Sequence, residues 1–186
     1  MINWFKTLPV YLELDEFRVI HACWDEPSLM TINQQINSDH TLSDELIIQS
    51  ATKNSPEYHA IENLLKGPEI PLPDGMVFYD KDKNKRDNVR IKWWNKTADN
   101  YRDITVGPDE DIASIPNHPI PPDSLRPTYP TGAPVVFVGH YWRAAKAPLS
   151  HNIACVDFSA GKGGPLMAYR WTEDDVELDS KKLIRF

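Results

Sequence analysis

Two histidines, His21 and His140, each follow a run of apolar and β-branched residues, in FRVIH and VVFVGH. Ligands of α/β proteins collect at the carboxyl ends of strands, so both imidazoles stand where a binding site can form. Neutral imidazole is a common metal ligand, and two such rings at one sheet edge could bind the same ion. From the residues alone this pairing is weak, and two hydrogen-bonded core histidines are the favoured interpretation.

The other side chains with metal-binding or nucleophilic chemistry have simpler interpretations. Polar or proline-flanked surroundings indicate surface positions for four histidines, namely His40, His59, His118 and His151. Cys23 and Cys155 fall in apolar, strand-like runs, which favours buried free thiols and a reducing compartment. Gly161-Lys-Gly-Gly lacks the Ser or Thr that ends a P-loop, so a hairpin turn is expected there.

Length and charge limit the classes of function. The chain has 186 residues and a formal net charge of −7, which predicts one domain over residues 1–186. An acidic chain gives no reason to expect nucleic acid or an anionic membrane as partner. No apolar run reaches the roughly 18 residues of a membrane span, and no signal peptide is recognised. The expected location is cytoplasmic.

Hydrophobic patterning predicts a mixed α/β (α+β) chain that is rich in strands. The expected strands are PVYLEL, FRVIHACW, MVFY, VRIKWW, VVFVGH, NIACVDF, LMAYRW and, at an edge, KKLIRF. The first two are expected to pair as a hairpin, with Pro27 as the breaker after it. MVFY and VRIKWW are expected to form a second hairpin that turns at Asp80–Asp87. The uninterrupted apolar run VVFV favours a strand covered on both faces.

Two helices are predicted, over TLSDELIIQSATKN and SPEYHAIENLLKGP. In the second helix Ser55 is a suitable N-cap, and Gly67 with the proline after it ends the helix. The expected shared face of this helix is formed by Tyr58, Ile61 and Leu65. Residues 95–134 show little periodicity and many prolines, which predicts an irregular loop region.

A family resemblance favours the interpretation of the two histidines as metal ligands. LPVYLELDEFRVIHACWDE together with VFVGHYWRAAKAPLSHNIACVDFSAGKGGPLMAYRW resembles the C-terminal half of a calcineurin-like metallophosphoesterase. The similarity is greatest to the branch of bacterial serine/threonine protein phosphatases and symmetrical diadenosine tetraphosphatases. In that family one strand ends in a metal-binding histidine and a later strand ends in Gly-His, and His21 and His140 take these places.

The resemblance implies a fold and a chemistry. The fold is a two-sheet αββα sandwich, of which this chain would form the β-rich C-terminal half. The activity is hydrolysis of phosphate esters at two divalent metal ions, with Mn expected and Fe, Zn or Ni as alternatives. The substrate would be a phosphoprotein, a dinucleoside polyphosphate or a small phosphoester. His21 and His140 would be ligands of one metal, and no catalytic residue is assigned.

The family's Asp-x-His, Gly-Asp-x-x-Asp-Arg and Gly-Asn-His-Glu motifs do not occur in this sequence. We therefore expect a fragment or truncated product with little phosphatase activity alone, which needs the first half of the fold or an oligomeric partner. The alternative is a non-catalytic remnant that serves as an interaction module.

Several further residues are weighed as contributors to such a site. Arg90 and Arg143 are candidate phosphate ligands because guanidinium binds oxyanions through two donors, although surface roles are favoured for both. Asp25 and Glu26 follow His21 closely and are either supporting groups of the site or part of a solvated loop. The tryptophans are either walls of a substrate cleft or core residues: Trp24, Trp93, Trp94 and Trp142.

Overall fold

The computed structural model describes residues 2–79, 83–122, 124, 128–142 and 148–186. These residues form a mixed α/β structure with six α-helices and ten strands arranged in four sheets. The helices are α1 (Ile2–Phe5), α2 (Glu26–Asn33), α3 (Asp44–Ser50), α4 (Pro56–Lys66), α5 (Tyr101–Ile104) and α6 (Asp109–Ser114). The strands are β1 (Tyr11–Glu13), β2 (Phe17–Ile20), β3 (Glu69–Pro71), β4 (Phe78–Tyr79), β5 (Lys85–Arg86), β6 (Asn88–Arg90), β7 (Val135–Val138), β8 (Ile153–Cys155), β9 (Met167–Tyr169) and β10 (Leu183–Arg185).

The principal sheet has the strand order β1-β2-β7-β8. The predicted hairpin is confirmed, because β1 and β2 pair antiparallel and Leu14 N donates to Phe17 O at 3.0 Å. Strand β7 lies parallel to β2 and to β8, with Ile20 opposite Val138. Parallel pairing brings the carboxyl ends of β2, β7 and β8 to one edge of the sheet.

Strand β7 is buried along its whole length, as its apolar sequence predicts. One face of the sheet packs against the helices, where Val136 and Val138 join a cluster that includes Leu64 of α4. The other face carries Phe137, which packs against aromatic and aliphatic residues that include Tyr169 of the β9–β10 pair. The sheet therefore has a helical layer on one side and a small two-stranded sheet over part of the other.

Helix α4 forms as its end signals predict. The Ser55 hydroxyl accepts a hydrogen bond from the Tyr58 N–H at 3.0 Å, and Gly67 with φ 85° ends the helix. The buried face is Ala60, Ile61 and Leu64, whereas Tyr58 and Leu65 are only partly buried. The predicted buried face was therefore correct at Ile61. The observed face is rotated away from the other two predicted positions, Tyr58 and Leu65. Helix α3 confirms the other helix prediction.

Three expectations about connections were wrong. Pro27 does not end the structure there but occupies the first turn of α2, a position that tolerates proline because its N–H is not needed. The second hairpin pairs only β4 with β5, and β6 pairs instead with β3. The glycine-rich segment is no hairpin turn, because it forms a 3₁₀ helix, Ala160–Lys162, and β8 and β9 belong to different sheets.

The predicted irregular region, residues 95–134, contains the two short helices α5 and α6. The expected turn at residues 80–87 lies partly outside the described residues, since these exclude residues 80–82. Among the residues that are described, no helix has both the length and the apolar composition needed to cross a bilayer.

Gly67 permits a close approach between the end of α4 and the segment that follows β7. A Cβ at position 67 would lie 1.9 Å from Tyr141 Oη, and Tyr141 is only 1% exposed. Tyr141 Oη in turn accepts a hydrogen bond from Trp93 Nε1 at 3.1 Å. A side chain at position 67 would therefore displace a buried, hydrogen-bonded tyrosine.

We expect Gly67→Ala to lower the free energy of unfolding by about 3 kcal/mol, through overpacking and an unfavourable backbone conformation. Gly75→Ala is the matched control, because Gly75 also has a positive φ of 78° but a Cβ there would meet nothing within 4 Å. Its expected cost is about 1 kcal/mol. Denaturant unfolding of the three proteins measures both values, and equal costs would contradict the proposed role of Tyr141.

Candidate metal-binding histidine pair

His21 and His140 meet at the carboxyl edge of the principal sheet. The Gly139 N–H donates to the His21 carbonyl at 2.9 Å, which continues the β2–β7 pairing one step past the strands. The two imidazole rings have centroids 5.5 Å apart at an interplanar angle of 63°. His140 has a φ of 61°, an uncommon left-handed conformation for a residue other than glycine. The sequence-predicted pair is therefore brought together.

The environment keeps the His140 imidazole uncharged at neutral pH. Burial, together with the charges of Arg90, His21 and Lys66, lowers the pKa of His140 to about 4, against the opposing effect of Asp157. Neutral imidazole is the protonation state that binds metals. His21 is exposed, so the pair is accessible from solvent on one side.

The spacing of the rings suits two ligands of one ion. With metal–nitrogen bonds of about 2.1 Å, two imidazoles on one tetrahedral ion have centroids about 5 Å apart. The described residues contain no group of three or more His, Cys, Asp or Glu side chains placed to hold a metal. Catalytic zinc sites generally use three protein ligands. The pair therefore fits part of a metal site and needs ligands from elsewhere.

Two charged residues that the sequence analysis did not single out lie near the pair. Asp157 follows β8 at the same sheet edge, where its Oδ1 accepts the Ser159 N–H at 2.8 Å. Lys66 is brought to the edge because the Leu64 carbonyl of α4 accepts N–H groups of Ala22 and Cys23, just after His21. The position of Asp157 directly after an apolar strand was a signal that could have been used, whereas that of Lys66 depends on tertiary packing.

An apolar groove of about 790 Å³ opens next to the histidines. Its polar lining includes the side chains of His21, His140 and Lys66. Its apolar wall includes residues of α1, β1, β2 and β7 and of the segments next to the strands, among them Phe5, Leu8, Leu12, Val19, Phe137 and Val156. Phe5 and Leu12 are 55% and 44% exposed, so the groove is an open hydrophobic surface.

Arg90, the first candidate phosphate ligand, is near the pair but is already ion-paired. Its Nη2 donates to Glu69 Oε1 at 2.7 Å, while its charge is close enough to lower the pKa of His140. Arg143, the second candidate, lies outside the described residues.

Asp25 and Glu26 have structural contacts and belong to no solvated loop. The Asp25 carboxylate is buried and accepts hydrogen bonds from the N–H and the hydroxyl of Ser28. Asp25 is thereby the N-cap of α2. Glu26 accepts the Trp24 indole N–H at 2.9 Å and lies 3.6 Å from Arg18. No hydrogen bond or ion pair between these carboxylates and the histidine pair is observed in the described part of the chain.

The remaining candidates have mostly structural positions. Trp24, Trp93 and Trp94 are buried in the core, and Trp142 is 38% exposed. Cys23 and Cys155 are buried free thiols, as predicted. Three of the other four histidines are exposed, and His40 is partly buried, with its ring stacked on Tyr11 at 4.4 Å; the four are His40, His59, His118 and His151.

No family model, curated protein or solved structure matches this chain.

The lowered pKa of His140 predicts a loss of stability in mild acid. Between pH 6.5 and 4 the unfolded chain binds a proton at this position that the folded chain does not, so stability falls as the pH falls through this window. The full shift corresponds to about 3 kcal/mol. Because the ring is only half-buried, solvent screening reduces the expected loss to about 1–2 kcal/mol.

The measurement is the free energy of unfolding of metal-free protein at pH 7 and pH 4.5. His140→Asn removes the titrating group, and asparagine tolerates the left-handed backbone at this position. The wild type should lose about 1–2 kcal/mol more than this variant between the two pH values. An identical pH dependence of the two proteins would contradict the burial of a neutral His140.

Proposed function

We propose that this chain carries two metal ligands, His21 and His140, of a metal-dependent phosphoesterase of the calcineurin-like type. The observation that supports this is the approach of the two rings to 5.5 Å at the ends of adjacent parallel strands. The one-step continuation of the strand pairing, from Gly139 to the His21 carbonyl, fixes both backbone positions. Divalent ions bound there would supply water activation and charge neutralisation for hydrolysis of a phosphate ester.

The residues of the chain have separate roles in this proposal. His21 and His140 bind metal as neutral imidazoles. Arg90, on β6, contributes positive charge near the site for a substrate phosphoryl group, and Arg143 is the second candidate for this role. The substrate is a phosphorylated compound or protein, and Mn is the expected metal, with Fe, Zn or Ni as alternatives.

We further propose that a second polypeptide completes the site by docking in the apolar groove. The groove leads directly to the two histidines, so a chain seated in it could place carboxylates beside them. The two histidines alone leave the ion short of ligands. The large open apolar surface also favours the alternative function, an interaction module without catalysis, since such patches mark association sites.

Metal binding tests the proposal most directly. We expect Mn²⁺ to broaden the NMR signals of the His21 and His140 rings selectively. His21→Gln and His140→Asn should each weaken Mn²⁺ binding by about tenfold or more, because each removes one of two ligands of the same ion. His151→Gln is the matched control, since His151 is exposed and its Nε2 lies 2.8 Å from the Thr131 carbonyl oxygen, away from the groove.

Equal broadening of all six histidines, or binding that survives both ligand substitutions, would contradict the metal site. Hydrolysis of p-nitrophenyl phosphate with Mn²⁺ provides a second measurement. The chain alone should show little turnover, because two histidines hold a metal loosely. Robust turnover that is lost in His140→Asn would support the metal site but contradict the need for a completing polypeptide.

The groove makes a separate prediction. Leu12→Asp places a charge in the apolar wall and should reduce binding of the dye ANS by about half, with little effect on stability because the side chain is largely exposed. Leu166→Asp is the control, since Leu166 is 59% exposed but does not line the groove. The same decrease in both variants would show that the dye does not report on the groove.

A further inference from the structure

We propose that Lys66 and Arg90 form a pocket for a phosphate-like oxyanion beside the histidine pair. The inference rests on the proposed function, since a phosphoester substrate is what would bring a phosphoryl group to this edge of the sheet. It adds Lys66, a residue without any role in the sequence analysis, and it gives the pocket a ligand class.

The backbone places the two cations in one cavity. Lys66 ends α4, the chain then passes through Gly67 into β3, and β3 pairs with β6 so that Glu69 lies opposite Arg90. Lys66 and Arg90 both line a cavity of about 530 Å³. Lys66 also lines the groove that contains both histidines. Lys66 is therefore shared between the groove at the histidine pair and the cavity that contains Arg90.

Arg90 has one N–H donor without a partner in the described part of the chain. Its Nη2 is bound to Glu69, but its buried Nε has no hydrogen-bond partner among the described residues. Buried donors without a partner are rare because they lose hydration without compensation. A phosphate oxygen would satisfy this donor, and the planar guanidinium can offer a second N–H to the same anion.

Carboxylates balance both cations when the pocket is empty, so anion binding requires one ion pair to open. Lys66 Nζ donates to both oxygens of Glu62, at 2.7 and 2.8 Å, one helical turn away. Half of the Lys66 side chain is exposed, and exposed pairs of this kind contribute little to stability. A phosphate dianion can therefore displace Glu62 from Lys66 while Glu69 stays on Arg90.

The test follows the Arg90 Nε–Hε NMR signal while inorganic phosphate is added to metal-free protein at constant ionic strength. We expect a saturable shift of this signal. Lys66→Met should weaken phosphate binding by about tenfold, because it removes a charge-assisted hydrogen bond. Glu62→Gln should strengthen binding several-fold, because it frees Lys66 from its competing carboxylate.

Lys6→Met is the matched control, since Lys6 pairs with Asp44 and lines neither cavity. Its phosphate affinity should equal that of the wild type. An Arg90 signal that does not respond to phosphate, or equal weakening by Lys66→Met and Lys6→Met, would overturn the pocket. Mn²⁺ broadening of the His21 and His140 signals in the same samples reports separately on the metal site, so the two proposals can fail independently.

Discussion

The parallel pairing of β2 with β7 is the constraint on which the candidate site depends. It sets Ile20 opposite Val138. The residues that follow the two strands are therefore neighbours, as the hydrogen bond from Gly139 N to the His21 carbonyl shows. Sequence positions more than a hundred residues apart thereby share one sheet edge. Strand β7 is buried on both faces, so the edge that carries the histidines rests on a strand fixed by two apolar clusters.

A second set of contacts fixes the helical side of this edge. Helix α4 ends where its Leu64 carbonyl accepts two N–H groups that follow His21, and Gly67 lets Tyr141 pack directly against the chain after the helix. These contacts hold the helix end, and Lys66 with it, against the ends of both strands. The positions of the charged groups at this edge therefore depend on contacts of the core.

Local patterns in the sequence predicted the elements better than their assembly. The β1–β2 hairpin, helices α3 and α4 and the fully buried β7 were predictable because strand alternation, helix caps and apolar runs are properties of neighbouring residues. The pairing of β6 with β3 and the separation of β8 from β9 were missed because partner choice depends on distant segments. Pro27 was misinterpreted because a proline suits the first turn of a helix as well as the end of a strand.

The charge balance of the edge restricts what can complete a metal site there. Neutral His21 and His140 would bind a cation without neutralising it, and the charges of Lys66 and Arg90 act on the same edge of the sheet. Asp157 is the nearby carboxylate that opposes this charge on His140. Because the proposed Mn is a hard ion that prefers oxygen ligands, a segment that completes such a site would be expected to bring carboxylates. A partner that offered only apolar contacts would fill the groove and leave the histidines without a metal, so the ligands it carries distinguish an enzyme from an interaction module.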